Sequence, residues 1–194
     1  MKKVIVVVVL VLLSNAIYAQ KKKPITATTS SVLAKADKLS VEYINNKLVL
    51  FSIAKGAKKD SIFSRSIENN KKPLDCKIIA FKAKDTQLYH VSWSENTVSE
   101  TKDKKEDKTQ FHNEIWDVNS KTLALGNIQT STKIKETLYL DKLKNASQTS
   151  EKIRNEGLVF SLTPTGDVVL KTKTQENKLT YDPTLKKYVE LKKK

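Results

Sequence analysis

Apolar residues recur along this chain in short runs, mostly of four to seven positions, separated by polar stretches rich in Asn, Lys, Asp and Ser. Period-two alternation is clearest at Tyr89, Val91 and Trp93, which share one face of a strand while His90 and Ser92 point the other way. Leu158, Phe160 and Leu162 alternate in the same way, as do Val168 and Leu170. Leu48 to Ile53 is apolar almost throughout and reads as a strand buried on both sides or one crossing the core.

Turn chemistry joins several of these runs. Thr163-Pro164-Thr165-Gly166-Asp167 separates two β-rich segments and predicts a hairpin over Leu158 to Lys173. Asp182-Pro183 predicts a second hairpin, from Leu179–Tyr181 to Tyr188–Leu191. A third pairs Leu88–Trp93 with Phe111–Val118, and the charged stretch Ser94 to Gln110 reads as a long exposed loop between them.

Helical signals are few. Ser150 to Gly157 reads as one or two helical turns, with Ser150 as N-cap and Gly157 as the stop. Val32 to Leu39 fits another short helix. Ile134 to Leu143 fits both periods, and Tyr139 and the neighbouring threonines favour a strand. The pattern therefore predicts a mainly β chain of eight to ten short strands with one or two short helices. They would form a single antiparallel barrel or a two-sheet sandwich.

The N-terminus follows a different rule. Lys2 and Lys3 precede the apolar run Val4 to Leu13, and a weakly polar stretch ends at Ala19-Gln20. This is the layout of a secretory signal peptide, too short to span about 30 Å of hydrocarbon permanently. The expected organisation is a signal peptide over 1–19, a flexible leader over 20–31 and one β-rich domain over 32–194. Cleavage near Ala19-Gln20 would leave a soluble exported protein, periplasmic or secreted, with no transmembrane segment.

Charge changes the picture further. The chain carries 36 Lys and Arg against 21 Asp and Glu, a net charge of +15. Arg65 and Arg154 are its only arginines. Specific nucleic-acid recognition relies on the arginine fork, so no such binding is expected. A lysine-rich surface makes diffuse, salt-sensitive contacts, which leaves an anionic glycan or lipid surface as a partner. Cys76 is the only cysteine, so stability rests on the core rather than on an internal disulfide.

Glycine-rich phosphate cradles, the G-x-S-x-G elbow, H-E-x-x-H and the EF-hand loop are all absent, and no cofactor is expected. The one possible constellation lies on the third hairpin. If its strands pair, His90 and His112 could face the same side, and parity places Glu114 and Trp116 with His112. His90, His112 and Glu114, with Trp93 and Trp116 beside them, are thus the candidate binding residues. The expected function is a non-enzymatic exported binding or interaction protein with an unknown protein or small-molecule partner. The alternatives are a small hydrolase or metal-binding protein using His90, His112 and a carboxylate such as Glu114 or Asp117, and a lysine-rich protein on an anionic surface.

Overall fold

A computed structural model of the chain describes residues 30–53, 58–67 and 71–191. The signal-peptide segment, most of the leader and the three C-terminal lysines lie outside them. Thirteen strands, and no helix, make up the described residues.

The strands form three antiparallel sheets, each a meander in chain order. The N-terminal sheet contains β1 (Ser31–Ala36), β2 (Leu39–Ile44), β3 (Lys47–Ile53) and β4 (Lys59–Ser66). The central sheet contains β5 (Leu74–Ala83), β6 (Thr86–Glu100), β7 (Lys104–Asp117), β8 (Thr122–Tyr139) and β9 (Ser147–Glu156). The C-terminal sheet contains β10 (Val159–Leu162), β11 (Val168–Lys171), β12 (Glu176–Asp182) and β13 (Lys187–Glu190). Sequential strands pair because short turns join them. Asn45-Asn46 and Lys84-Asp85 each take two consecutive positive φ angles (48° and 61°, 45° and 64°), which matches the twist of a two-residue hairpin.

Alternation on β6 and β7 feeds two separate cores. Val91, Trp93 and Trp116 pack against Leu39, Val41, Leu48 and Leu50 of the N-terminal sheet. Leu88 and Ile115 point the other way and pack with Val168, Leu170, Tyr181 and Tyr188 of the C-terminal sheet. The central sheet is thus covered on both faces, but only along part of its length. No residue between 95 and 114, or between 126 and 157, belongs to either core. The outer part of that sheet, beyond Glu95, Gln110 and Thr130, belongs to neither core and forms a blade in which Thr132 and Ile134 are nevertheless buried.

The sandwich reading holds in its coarse form, since sheets pack face to face, but there are three open sheets and no closed barrel among the described residues. Thirteen strands replace eight to ten, and three of them run to 14, 15 and 18 residues. The helix expected over Ser150 to Gly157 is β9, paired with β8 from Tyr139↔Ser147 to Thr130↔Glu156. Its side chains are nearly all exposed, so no periodicity announced it, and the open edge of β8 decided its conformation. The helix expected over Val32 to Leu39 is β1 and its turn into β2. The expected loop Ser94 to Gln110 is strand on both sides of a turn at 101–103. Its charges pair instead of dissolving into solvent: Glu100 with Lys105 at 3.0 Å, and farther along the blade Lys135 with Glu151 at 3.1 Å and Glu136 with Lys152 at 2.8 Å.

The expected hairpins at Leu158 to Lys173 and Leu179 to Leu191 are present as β10–β11 and β12–β13. Gly157, read as a helix stop, does take a positive φ of 82°. It ends a strand instead, where the chain leaves the central sheet for the C-terminal one. At the near end of the leader, Ser31 opens β1 and the Ser30 hydroxyl donates to Glu42 Oε2 at 2.9 Å.

Candidate functional site

The third hairpin pairs as expected, and its register decides where the candidate residues point. Trp93 lies opposite His112, and His90 lies opposite Ile115. Cross-strand partners share a face, so Trp93, His112, Glu114 and Trp116 look toward the N-terminal sheet. His90 looks the other way, toward the C-terminal sheet. The two histidines are separated by the thickness of the sheet and form no joint site. Among the described residues no group of three His, Cys, Asp or Glu is placed to hold a metal ion.

On the N-terminal side several buried polar groups pair with one another. Arg65 of β4 forms an ion pair with Glu114, and Trp116 Nε1 donates to Glu114 Oε2 at 3.0 Å. Burial pushes the Glu114 carboxyl up, against the opposing pull of Arg65 and the Trp116 hydrogen bond. The Arg65 guanidinium also lies 5.4 Å from the centre of the Trp93 ring, a cation–π contact. Trp93 stacks on His112 at 4.7 Å with the planes 4° apart, and its Nε1 donates to Glu95 Oε1 at 2.9 Å. His112 Nε2 is 3.3 Å from the same oxygen. Phe63 stacks on Trp116 at 4.9 Å and on Trp93 at 6.4 Å. This cluster is a polar and aromatic seam between two sheets. Arg65 and Phe63 join it only through the packing of β4 on the central sheet, while Glu95 joins through its own strand, two residues from Trp93 on the same face of β6.

Asp117 is occupied by a turn. Its carboxylate accepts from the Asn119 and Ser120 amides at 3.1 and 3.3 Å, and from the Ser120 hydroxyl at 2.6 Å. Cys76 borders the N-terminal core, and burial pushes its thiol up to about 12, far from a reactive thiolate.

On the other face, His90 stacks on Phe160 of β10 at 4.7 Å. Its Nε2 lies 3.0 Å from Asn113 Oδ1, an acceptor to which it is placed to donate. Burial lowers the His90 pKa, opposed in part by Asn113. Phe160 and Asn113 in turn wall an open groove of about 270 Å³ beside β10. Ser92, Ser94, Phe111 and Gln129 line it from β6, β7 and β8, and Asp75 and Lys77 close one side. Phe111 is 39 % exposed there. Ser94 Oγ sits 3.3 Å from Asp75 Oδ2 and 3.4 Å from the Leu74 carbonyl, which steadies the rim.

A larger depression, of about 570 Å³, lies on the blade between β7, β8 and β9. Lys105, Asp107, Lys133, Lys135 and Glu151 line it, with the exposed Ile153. Its wall is more apolar than polar, with Ile134 and Ile153 in it, but it lies on one open sheet, whereas the groove gathers an exposed ring with amides and hydroxyls and is taken as the candidate site. Among the described residues no helix is long and apolar enough to cross a membrane. No protein family matches this chain, and neither does any curated protein or any solved structure.

Proposed function

We propose that this chain is an exported, non-enzymatic binding protein that takes a small neutral polar ligand in the groove over His90. One observation carries the reading: an exposed aromatic ring, Phe111, sits among amide and hydroxyl groups in an open concavity. Such a surface holds a ligand that offers one apolar face and several hydroxyl or amide groups, such as one or two sugar or amino-acid units. His90 acts indirectly. Its stacking on Phe160 and its bond to Asn113 fix two groove walls from beneath.

The hydrolase alternative is less well supported. Its acid–base groups would have to come from one face alone, and Glu114 is already spent on Arg65 and Trp116 between two sheets. Export rests on the N-terminal signal. The mass of the protein recovered from its host should correspond to a chain starting near Gln20.

An NMR titration of labelled protein with short oligosaccharides and dipeptides tests the ligand reading. Amides of Ser92, Phe111, Asn113 and Gln129 should shift with saturation, and Phe111→Ala should weaken binding by about tenfold while leaving the fold intact. Shifts confined to other parts of the molecule, or none across the panel, would sink it.

A further inference from the structure

We propose that the outer end of the blade docks on an anionic phospholipid bilayer, with Leu140 and Leu143 entering the interface and the surrounding lysines meeting the headgroups. This goes beyond the groove reading and does not depend on it. Leu140 and Leu143 lie in the β8–β9 turn and are 67 % and 81 % exposed. They pack into neither core. Leu138, also exposed, precedes them on β8. Two large apolar side chains held in water at the tip of a projection serve no folding purpose, and a cluster of this kind marks an interaction site.

The location favours a surface over a soluble partner in a cleft. From Thr130 to Leu140 the blade extends about 30 Å, at about 3.3 Å per residue, and its exposed leucines lie at the far end, past the buried Thr132 and Ile134. The turn at its end is ordered by its own bonds. Asp141 accepts from the Asn145 amide at 2.8 Å, and the Leu140 amide donates to the Ala146 carbonyl at 2.9 Å. The leucines are therefore presented on a built loop.

The charge at the tip supplies the choice of lipid. Lys142 and Lys144 flank Leu143, and Lys144 lies 4.6 Å from the centre of the Tyr139 ring. The β6–β7 turn reaches the same end, since the Thr137 amide donates to the Asp103 carbonyl at 2.8 Å, and it adds Lys102. The nearby acids are engaged within the protein: Asp103 accepts from the Tyr139 hydroxyl at 2.6 Å, Asp141 from the turn, and Glu136 from Lys152. Apolar residues ringed by lysines fit the boundary between acyl chains and anionic headgroups, whereas an acidic glycan offers nothing to leucines.

The test uses the chain as its host exports it, so that every variant shares one N-terminus. Flotation with vesicles of phosphatidylcholine containing 30 % phosphatidylglycerol, roughly the anionic content that gives a clear surface potential, should carry the protein. Pure phosphatidylcholine should carry far less, and roughly 0.5 M salt should weaken binding. L140S/L143S should reduce partitioning by at least about tenfold, and K142A/K144A by about tenfold at low salt. L185S, which alters another exposed leucine, should leave it unchanged. To locate the contact directly, a Cys76→Ser background with Leu143→Cys carries an environment-sensitive dye. Its emission should move to the blue on adding anionic vesicles, and a dye at Leu185→Cys should not respond. Absence of flotation, equal flotation of L140S/L143S, or a silent dye at position 143 would overturn the proposal. So would binding to an acidic glycan that survives L140S/L143S in place of vesicle binding.

Discussion

Arg65 on β4 and Glu114 on β7 form the ion pair that ties the N-terminal sheet to the central one. The two ends differ in exposure: the Glu114 side chain is almost wholly buried, and over a third of the Arg65 side chain stays in water. Glu114 is therefore the member that suffers when the pair is broken.

Replacing Arg65 by Met should destabilise the protein by about 2–3 kcal/mol, less than for a fully enclosed pair because Arg65 is partly solvated. Glu114→Gln should cost less, since an amide oxygen can still accept from Trp116. A double-mutant cycle in urea measures the coupling, and additive effects would show that the pair does no stabilising work. The Glu114 carboxyl is already raised above its ordinary 4.5 by burial. A group of that kind favours the folded state most below the unfolded value and loses that contribution as pH rises through the folded value. The Arg65→Met variant should therefore regain part of its lost stability near pH 4.

His90 carries the opposite pH signature. Burial holds its pKa below the ordinary 6.5, so the unfolded chain takes up a proton that the folded one refuses. The contribution is intact above pH 6.5 and is lost as pH falls from there toward the folded value. Urea midpoints of the parent protein should drop over this range, and His90→Gln should flatten that slope. An unchanged slope in the variant would assign the acid sensitivity to other groups.

Gly166 closes the β10–β11 turn against the central sheet. Its φ is 83°, and a Cβ there would lie 2.5 Å from the Lys82 carbonyl and 2.8 Å from the Ala83 Cβ. Gly166→Ala should cost about 2–4 kcal/mol, combining left-handed strain with a backbone clash. Tyr188→Phe, which removes the 2.7 Å hydrogen bond from the Tyr188 hydroxyl to the Gly166 carbonyl, should cost about 1–2 kcal/mol. Thermal unfolding of both variants checks the order.

Cys76 offers a probe of the inter-sheet seam. With its pKa pushed up to about 12, native labelling by a disulfide reagent at pH 8 should be slower than for an ordinary thiol by about 10–100-fold, the loss of thiolate being partly offset by its greater nucleophilicity. Arg65→Met should raise the rate by loosening the cover. Equal rates in native protein and in urea would mean that the thiol is not enclosed.

The sequence itself made much of the strand content legible. Tyr89, Val91 and Trp93 alternate because one face of β6 meets a core, and the same parity placed Glu114 and Trp116 with His112. Thr163 to Asp167 announced its hairpin through Pro and Gly. What failed to show was strand structure without burial. β9 and the outer parts of β6 and β7 lack an apolar stripe, so a reading based on hydrophobic period took them for helix or loop. Backbone pairing made them strands, β9 and the outer part of β7 against β8 and the outer part of β6 against β7, and pairing is not visible in hydrophobic period.

Residue types and local order by themselves determined a β-rich chain without an internal disulfide, with several hairpins and a basic charge. Tertiary structure alone decided that β6 and β7 serve two cores, so that His90 and His112 back onto different sheets instead of meeting. It also decided that Arg65 reaches Glu114, that the groove opens beside Phe160, and that two leucines stand at the end of a blade. These depend on which sheet covers which face, and alternation specifies two faces without naming the partner of either.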